Sequence, residues 1–108
     1  MSPDEFRKQI EALAAEYREA LPARLAGIDA VWSELRDGSR RPERLAALQR
    51  ELHSIAGSAR TFGVAGVSEA AAAAEAHLEP FLPDGALPDA GQRDAFVHLL
   101  DALKDAAR

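Results

Sequence analysis

The chain contains no cysteine. A disulfide framework and a thiolate metal site are therefore excluded, which fits a reducing compartment. Aromatic residues make up only 6% of the sequence, with a single Trp and a single Tyr, and β-branched residues are also few. Sheets draw on both classes, so their scarcity argues against β structure. No apolar run approaches the roughly 20 residues of a membrane span. The opening stretch Met1-Ser2-Pro3-Asp4-Glu5 is acidic and leads into no apolar run, unlike a secretory signal. A soluble, cytoplasmic protein is expected. Positive charge is also short, for the net charge is −5. Nucleic-acid binding needs a basic surface and is disfavoured. The one basic cluster, Arg36, Arg40, Arg41 and Arg44, is interrupted by Asp37 and Glu43 and reads as a solvated loop and helix start.

What is present is leucine and alanine at helical spacing. With 108 residues, the chain is read as one domain, 1–108, of all-α class. Ser2 is a plausible N-cap, with Pro3 at the first position and Glu5 three residues after the serine. The stripe Phe6, Ile10, Leu13, Tyr17, Leu21 continues in phase through Leu25, Ile28, Val31 or Trp32, and Leu35. Pro22 interrupts it, giving either two helices joined there or one long helix with a kink. Asp37-Gly38-Ser39 ends the section. A second helix is expected from Pro42 to about Phe62, then a tight turn at Gly63 and Gly66. A third is expected from about Val67 to Leu82, with Pro80 bending or fraying its end. A loop follows over Pro83–Pro88. Asp89 caps a last helix with Phe96, Leu99, Leu100 and Leu103 inside. Short connections favour antiparallel neighbours, so the expected architecture is an antiparallel four-helix bundle, with an additional N-terminal segment if Pro22 breaks the first helix.

The run Leu52-His53-Ser54-Ile55-Ala56-Gly57-Ser58-Ala59 stands out. Residues three and four apart share a helix face, so Ala56 and Gly57 leave the His53 ring almost without side-chain cover. A glycine inside a helix costs about 1 kcal/mol relative to alanine, and access to the histidine offers a reason for it. Leu45, Leu48, Leu52, Ile55, Ala59 and Phe62 form the core stripe. His53 lies beside it, and Gln49, Arg50, Ala56, Gly57 and Arg60 are expected with it on the outer face.

Competing chemistries lack their residues. There is no His-x-x-x-His or Glu-x-x-His pair for a metal. Ser54 and Ser58 are badly placed for a triad with His53, and Ser58 is expected to bond a carbonyl one turn back. Gly63-Val64-Ala65-Gly66 has no Lys-Ser/Thr sequel for a nucleotide phosphate, so intrinsic kinase activity has no support. His77 and His98 read as ordinary surface or boundary histidines. An exposed imidazole can instead accept a phosphoryl group on its free nitrogen. Arg50, almost one turn before His53, and Arg60, two turns beyond, are the nearest cations.

Taken with Thr61-Phe62-Gly63-Val64, the run His53-Ser54-Ile55-Ala56-Gly57-Ser58-Ala59 resembles the histidine-containing phosphotransfer domain of bacterial phosphorelays. The likeness is strongest from Leu45 to Glu79. It implies that His53 is phosphorylated on the ring nitrogen remote from the backbone and that Gly57 keeps room for an incoming receiver domain. It also implies response-regulator receivers as partners, with a hybrid histidine kinase as a further one. The receiver would supply Mg²⁺, and the domain would carry no cofactor, metal or kinase activity of its own and act as a monomer. One position departs from the family pattern. Three residues after the histidine, where lysine is common, this chain has Ala56. Arg60 is a candidate substitute. The alternative is a receiver-docking or regulatory module, on its own or within a longer protein, that has lost efficient transfer.

Overall fold

The structure, a computed structural model, describes residues 1–36, 41–85 and 89–108. Its elements are α1 (Pro3–Leu35), α2 (Pro42–Thr61), α3 (Ala65–Leu78), a 3₁₀ turn at Glu79–Phe81, and α4 (Ala90–Ala106). The expected boundary residues Asp37-Gly38-Ser39, with Arg40, and the end of the expected loop, residues 86–88, lie outside the described residues.

Local chemistry sets the helix ends. Ser2 Oγ accepts from the Glu5 N–H at 3.1 Å, and Asp89 does the same for Gln92 at 2.7 Å, so both expected caps form. At the α2–α3 turn Gly63 has φ +75°, a region that favours glycine. The Val64 N–H bonds the Ala59 carbonyl at 2.8 Å and the Gly63 N–H bonds that of Arg60 at 3.2 Å, the paired bonds that close a helix on a left-handed glycine. Gly66 lies in the first turn of α3, so Gly63 alone turns the chain. The third helix is shorter than the sequence suggests. Pro80 lacks an N–H, and the chain tightens into the 3₁₀ turn after Leu78.

The helices pair antiparallel all the way round. On the α1–α2 side, Tyr17 reaches Ile55 and Arg44 pairs with Glu34. Ser68 of α3 meets Ala56 of α2, and His77 of α3 meets Gln92 of α4. Lys104 of α4 pairs with Asp29 of α1 at 2.8 Å, and Trp32 packs on Phe96 with ring centroids 4.7 Å apart. One buried cluster joins Leu21, Leu25, Ile28, Trp32 and Leu35 of α1 to Leu48, Leu52 and Ile55 of α2, Val67, Ala71, Ala74 and Leu78 of α3, and Phe96, Leu100 and Leu103 of α4.

At Pro22 the long-helix alternative holds for α1. It runs unbroken through Pro22 as one helix of 33 residues, so there is no separate N-terminal segment. Pro22 is exposed, and the carbonyl one turn back that it leaves unpaired can bond water. The continuous stripe is also not all core. Phe6, Ile10 and Leu13 are 59%, 40% and 47% exposed. A helix of that length spans about 50 Å against about 30 Å for the 20 residues of α2. The first turns of α1 therefore overhang the bundle, and packing starts at Ala14 and half-buried Tyr17. Among the described residues no helix is long and apolar enough to cross a membrane.

Candidate functional site

His53 lies in the middle of α2, on the face that neither α1 nor α3 covers, and its side chain is 75% exposed. The core stripe beside it forms as read, with Leu45, Leu48, Leu52, Ile55 and Ala59 buried and Phe62 half-buried, its ring on Tyr17 at a centroid distance of 5.3 Å. The stripe fixes the rotation of α2 and so holds His53 outward.

The ring is oriented from α3. His53 Nδ1 lies 2.9 and 3.0 Å from the two carboxylate oxygens of Glu75. An ionised carboxylate only accepts, so Nδ1 carries the proton and donates. In the neutral ring this leaves Nε2 unprotonated, on the side remote from Glu75. The Glu75 side chain is only 15% exposed, so the acceptor is anchored in the bundle. Glu75 was not singled out from sequence. It is the one polar residue in the run Ala70–Ala76, and folding the chain back at Gly63 brings this stretch alongside His53. That register was the signal that could have found it.

The other flank is tied to α1. Arg24 Nε donates to Glu51 at 2.7 Å and its guanidinium to Ser54 Oγ at 3.1 Å. Tyr17 donates to the Ile55 carbonyl at 3.3 Å, and Ser58 Oγ lies 2.8 Å from the Ser54 carbonyl and 2.9 Å from the Tyr17 hydroxyl. Ser58 thus bonds one turn back as expected. Ser54 is held by Arg24 and forms no triad with His53.

The outer-face residues separate into three groups. Gln49, Arg50, His53 and Glu75 line one hollow of about 410 Å³. Gly57 is exposed, and a Cβ added there would meet nothing within 4 Å, so this place on the face is open. Ala56 is not on the outer face. It is 8% exposed, and its carbonyl accepts from Ser68 Oγ at 2.6 Å. The small side chains of α3 come close enough to cover it, a contact that one-helix periodicity cannot show. Arg60 is exposed but lines a separate hollow with Gly63, Ser68, Glu69 and Ala72. Seven residues on, it sits about 10 Å further along the helix axis.

His77 and His98 lie away from this face. His77 bonds the Gln92 carbonyl at 3.1 Å and stacks near Phe96 at a 6.0 Å centroid distance, and His98 is exposed on α4. Among the described residues no group of His, Asp or Glu side chains is placed to hold a metal ion. The arrangement is a held, exposed imidazole with a free nitrogen, a half-buried carboxylate behind it and a cation lining the same hollow. It can accept an electrophile on Nε2 without a closed pocket.

The family model described as the Hpt domain matches residues 4–108. Comparison with curated proteins and with solved structures returns no significant match.

Proposed function

The chain belongs to the Hpt domain family, and on that premise we propose that residues 1–108 act as one relay module that passes a phosphoryl group between receiver aspartates through His53. Hpt domains carry out histidine phosphotransfer in two-component signalling, and they are transfer modules, not kinases. The Nδ1 contact with Glu75, which leaves Nε2 free and exposed, carries the assignment of His53.

The geometry supports transfer in the following steps. The Nε2 lone pair attacks the phosphorus of a receiver's aspartyl phosphate. A P–N bond forms as the P–O bond breaks, and the aspartate leaves as a carboxylate. The proton stays on Nδ1, so the ring gains positive charge. The Glu75 carboxylate offsets that charge, as acidic partners of histidine do. In the reverse direction the charged ring is the better leaving group, and the phosphoryl group passes to another aspartate. The phosphoryl bond is thus made and broken at one nitrogen, with no proton moved.

The divalent cation that aspartyl-phosphate chemistry uses is assigned to the receiver, since the hollow offers one carboxylate, already bonded to His53. The receiver would dock over open Gly57 and against exposed apolar side chains of α1, Leu13 foremost. Transient interfaces of this type are small and partly apolar. The transfer needs one copy of the chain, which supports a monomer.

The alternative, docking without chemistry, was favoured in the sequence by Ala56. Glu75 weighs against it, because docking alone gives no reason to orient the ring with a half-buried carboxylate. The test is incubation with phosphorylated receivers and detection of acid-labile, base-stable phosphate on the chain. Wild type is expected to become labelled and His53→Gln to stay unlabelled. Label that survives His53→Gln, or wild-type binding to a receiver without label, overturns the reading.

A further inference from the structure

We propose that Arg50 is the residue that holds the phosphoryl oxygens on phosphorylated His53, supplying from the preceding turn the positive charge that Ala56 lacks. The inference rests on the phosphotransfer reading and names the residue that completes its site.

A phosphoryl group on Nε2 brings close to two negative charges at neutral pH. It arrives on a ring whose other nitrogen is bonded to the Glu75 carboxylate at 2.9 Å. Like charges on opposite sides of one imidazole repel, and the hollow is open to water, which weakens that repulsion without removing it. The positive ring offsets one of these charges, and a second cation within reach of the phosphoryl oxygens would offset the rest. Ala56 is uncharged and covered by α3. Arg60 lies two turns away in another hollow. Arg24 is engaged by Glu51. Arg50 is one turn from His53, about 4.5 Å along the axis, and lines the same hollow as His53 and Glu75. It is exposed, and among the described residues its guanidinium has no carboxylate partner. A free guanidinium fork matches two phosphoryl oxygens. Gln49, half-buried at the edge of the hollow, offers a neutral donor beside it.

The test uses the small donor phosphoramidate, so that receiver docking plays no part. Its P–N bond breaks, ammonia leaves, and the phosphoryl group moves to Nε2. The rate at which phosphate appears on His53 is followed by mass spectrometry for wild type, Arg50→Gln, Arg50→Lys and Arg60→Gln, with circular dichroism to show that each is folded. Arg50→Gln should be about fivefold slower at low salt, the upper end of what an exposed ion pair supplies. The deficit should shrink as salt rises. Arg50→Lys should recover most of the rate, and Arg60→Gln should match wild type. A wild-type rate in Arg50→Gln overturns the proposal, as does a loss that lysine does not rescue and salt does not change. Wild type that accepts no phosphate on His53 overturns the phosphotransfer reading itself, and Arg50 with it.

Discussion

At the scale of single residues the proposed transfer rests on one imidazole and the group behind it. His53 is exposed, yet it is held in orientation, because the half-buried Glu75 carboxylate accepts a hydrogen bond from its Nδ1–H. A hydrogen bond to a charged group contributes about 1.5–3 kcal/mol. Glu75→Ala should therefore slow phosphorylation of His53 by about tenfold or more, with the helix content unchanged. Glu75→Gln keeps an acceptor oxygen but loses the charge, and should fall between the two. Phosphorylation rates with ¹⁵N NMR of the ring tautomer check both. Equal rates in all three proteins would remove Glu75 from the mechanism. His53 and Gly57 were legible in the sequence because their relation is internal to one helix, a histidine followed by glycine at four residues. Glu75 and Arg24 were not, because each meets α2 across a helix pair whose register periodicity leaves undetermined. Ala56 shows the same limit from the other side. Its helical angle placed it outward, but α3 approaches closely enough to bury it.

At the scale of elements, α1 differs most from expectation. Its spacing of apolar residues is regular from Phe6 to Leu35, and the regularity hides the point at which the partners end. α2 stops at Thr61 and α3 starts at Ala65, so the overhanging turns have nothing to pack on in this chain. Replacing Phe6 and Leu13 by serine should lower the melting temperature by no more than about 5 °C, since each exposed substitution usually changes stability by no more than about 0.5 kcal/mol. Receiver affinity should fall severalfold, measured by titration calorimetry. A large loss of stability would show that these side chains are core after all. Pro22 sits inside the same helix without breaking it. Proline in a helix interior costs about 3 kcal/mol relative to alanine, so Pro22→Ala should raise stability by about 1–3 kcal/mol in urea unfolding. The helix caps at Ser2 and Asp89 and the Phe62-Gly63 turn were readable because each depends on residues a few positions apart.

For the whole molecule, the proposed transfer asks for a rigid base under one exposed face. The four helices share a core in which Leu52, Ile55, Leu78 and Phe96 are fully buried. Leu52 directly precedes His53, so core packing and site geometry are linked through one turn of α2. Leu52→Ala should cost about 2–5 kcal/mol and should slow transfer as well, while Ala73→Ser, on the exposed side of α3, should do neither. The base is also fixed at its far end. Gly85 has φ +73°, and its carbonyl oxygen accepts from the Arg41 N–H at 3.2 Å, while a Cβ there would collide with the Pro42 backbone.

The central claim is that the structure presents one particular nitrogen, Nε2 of His53, to the phosphoryl donor. It is tested most directly by ³¹P–¹⁵N correlation NMR of ¹⁵N-labelled protein after phosphorylation by a receiver. The account predicts a single phosphoryl group coupled to Nε2 of His53, with the Nδ1 proton retained on the Glu75 side. A phosphoryl group on Nδ1, or on a residue other than His53, would contradict it.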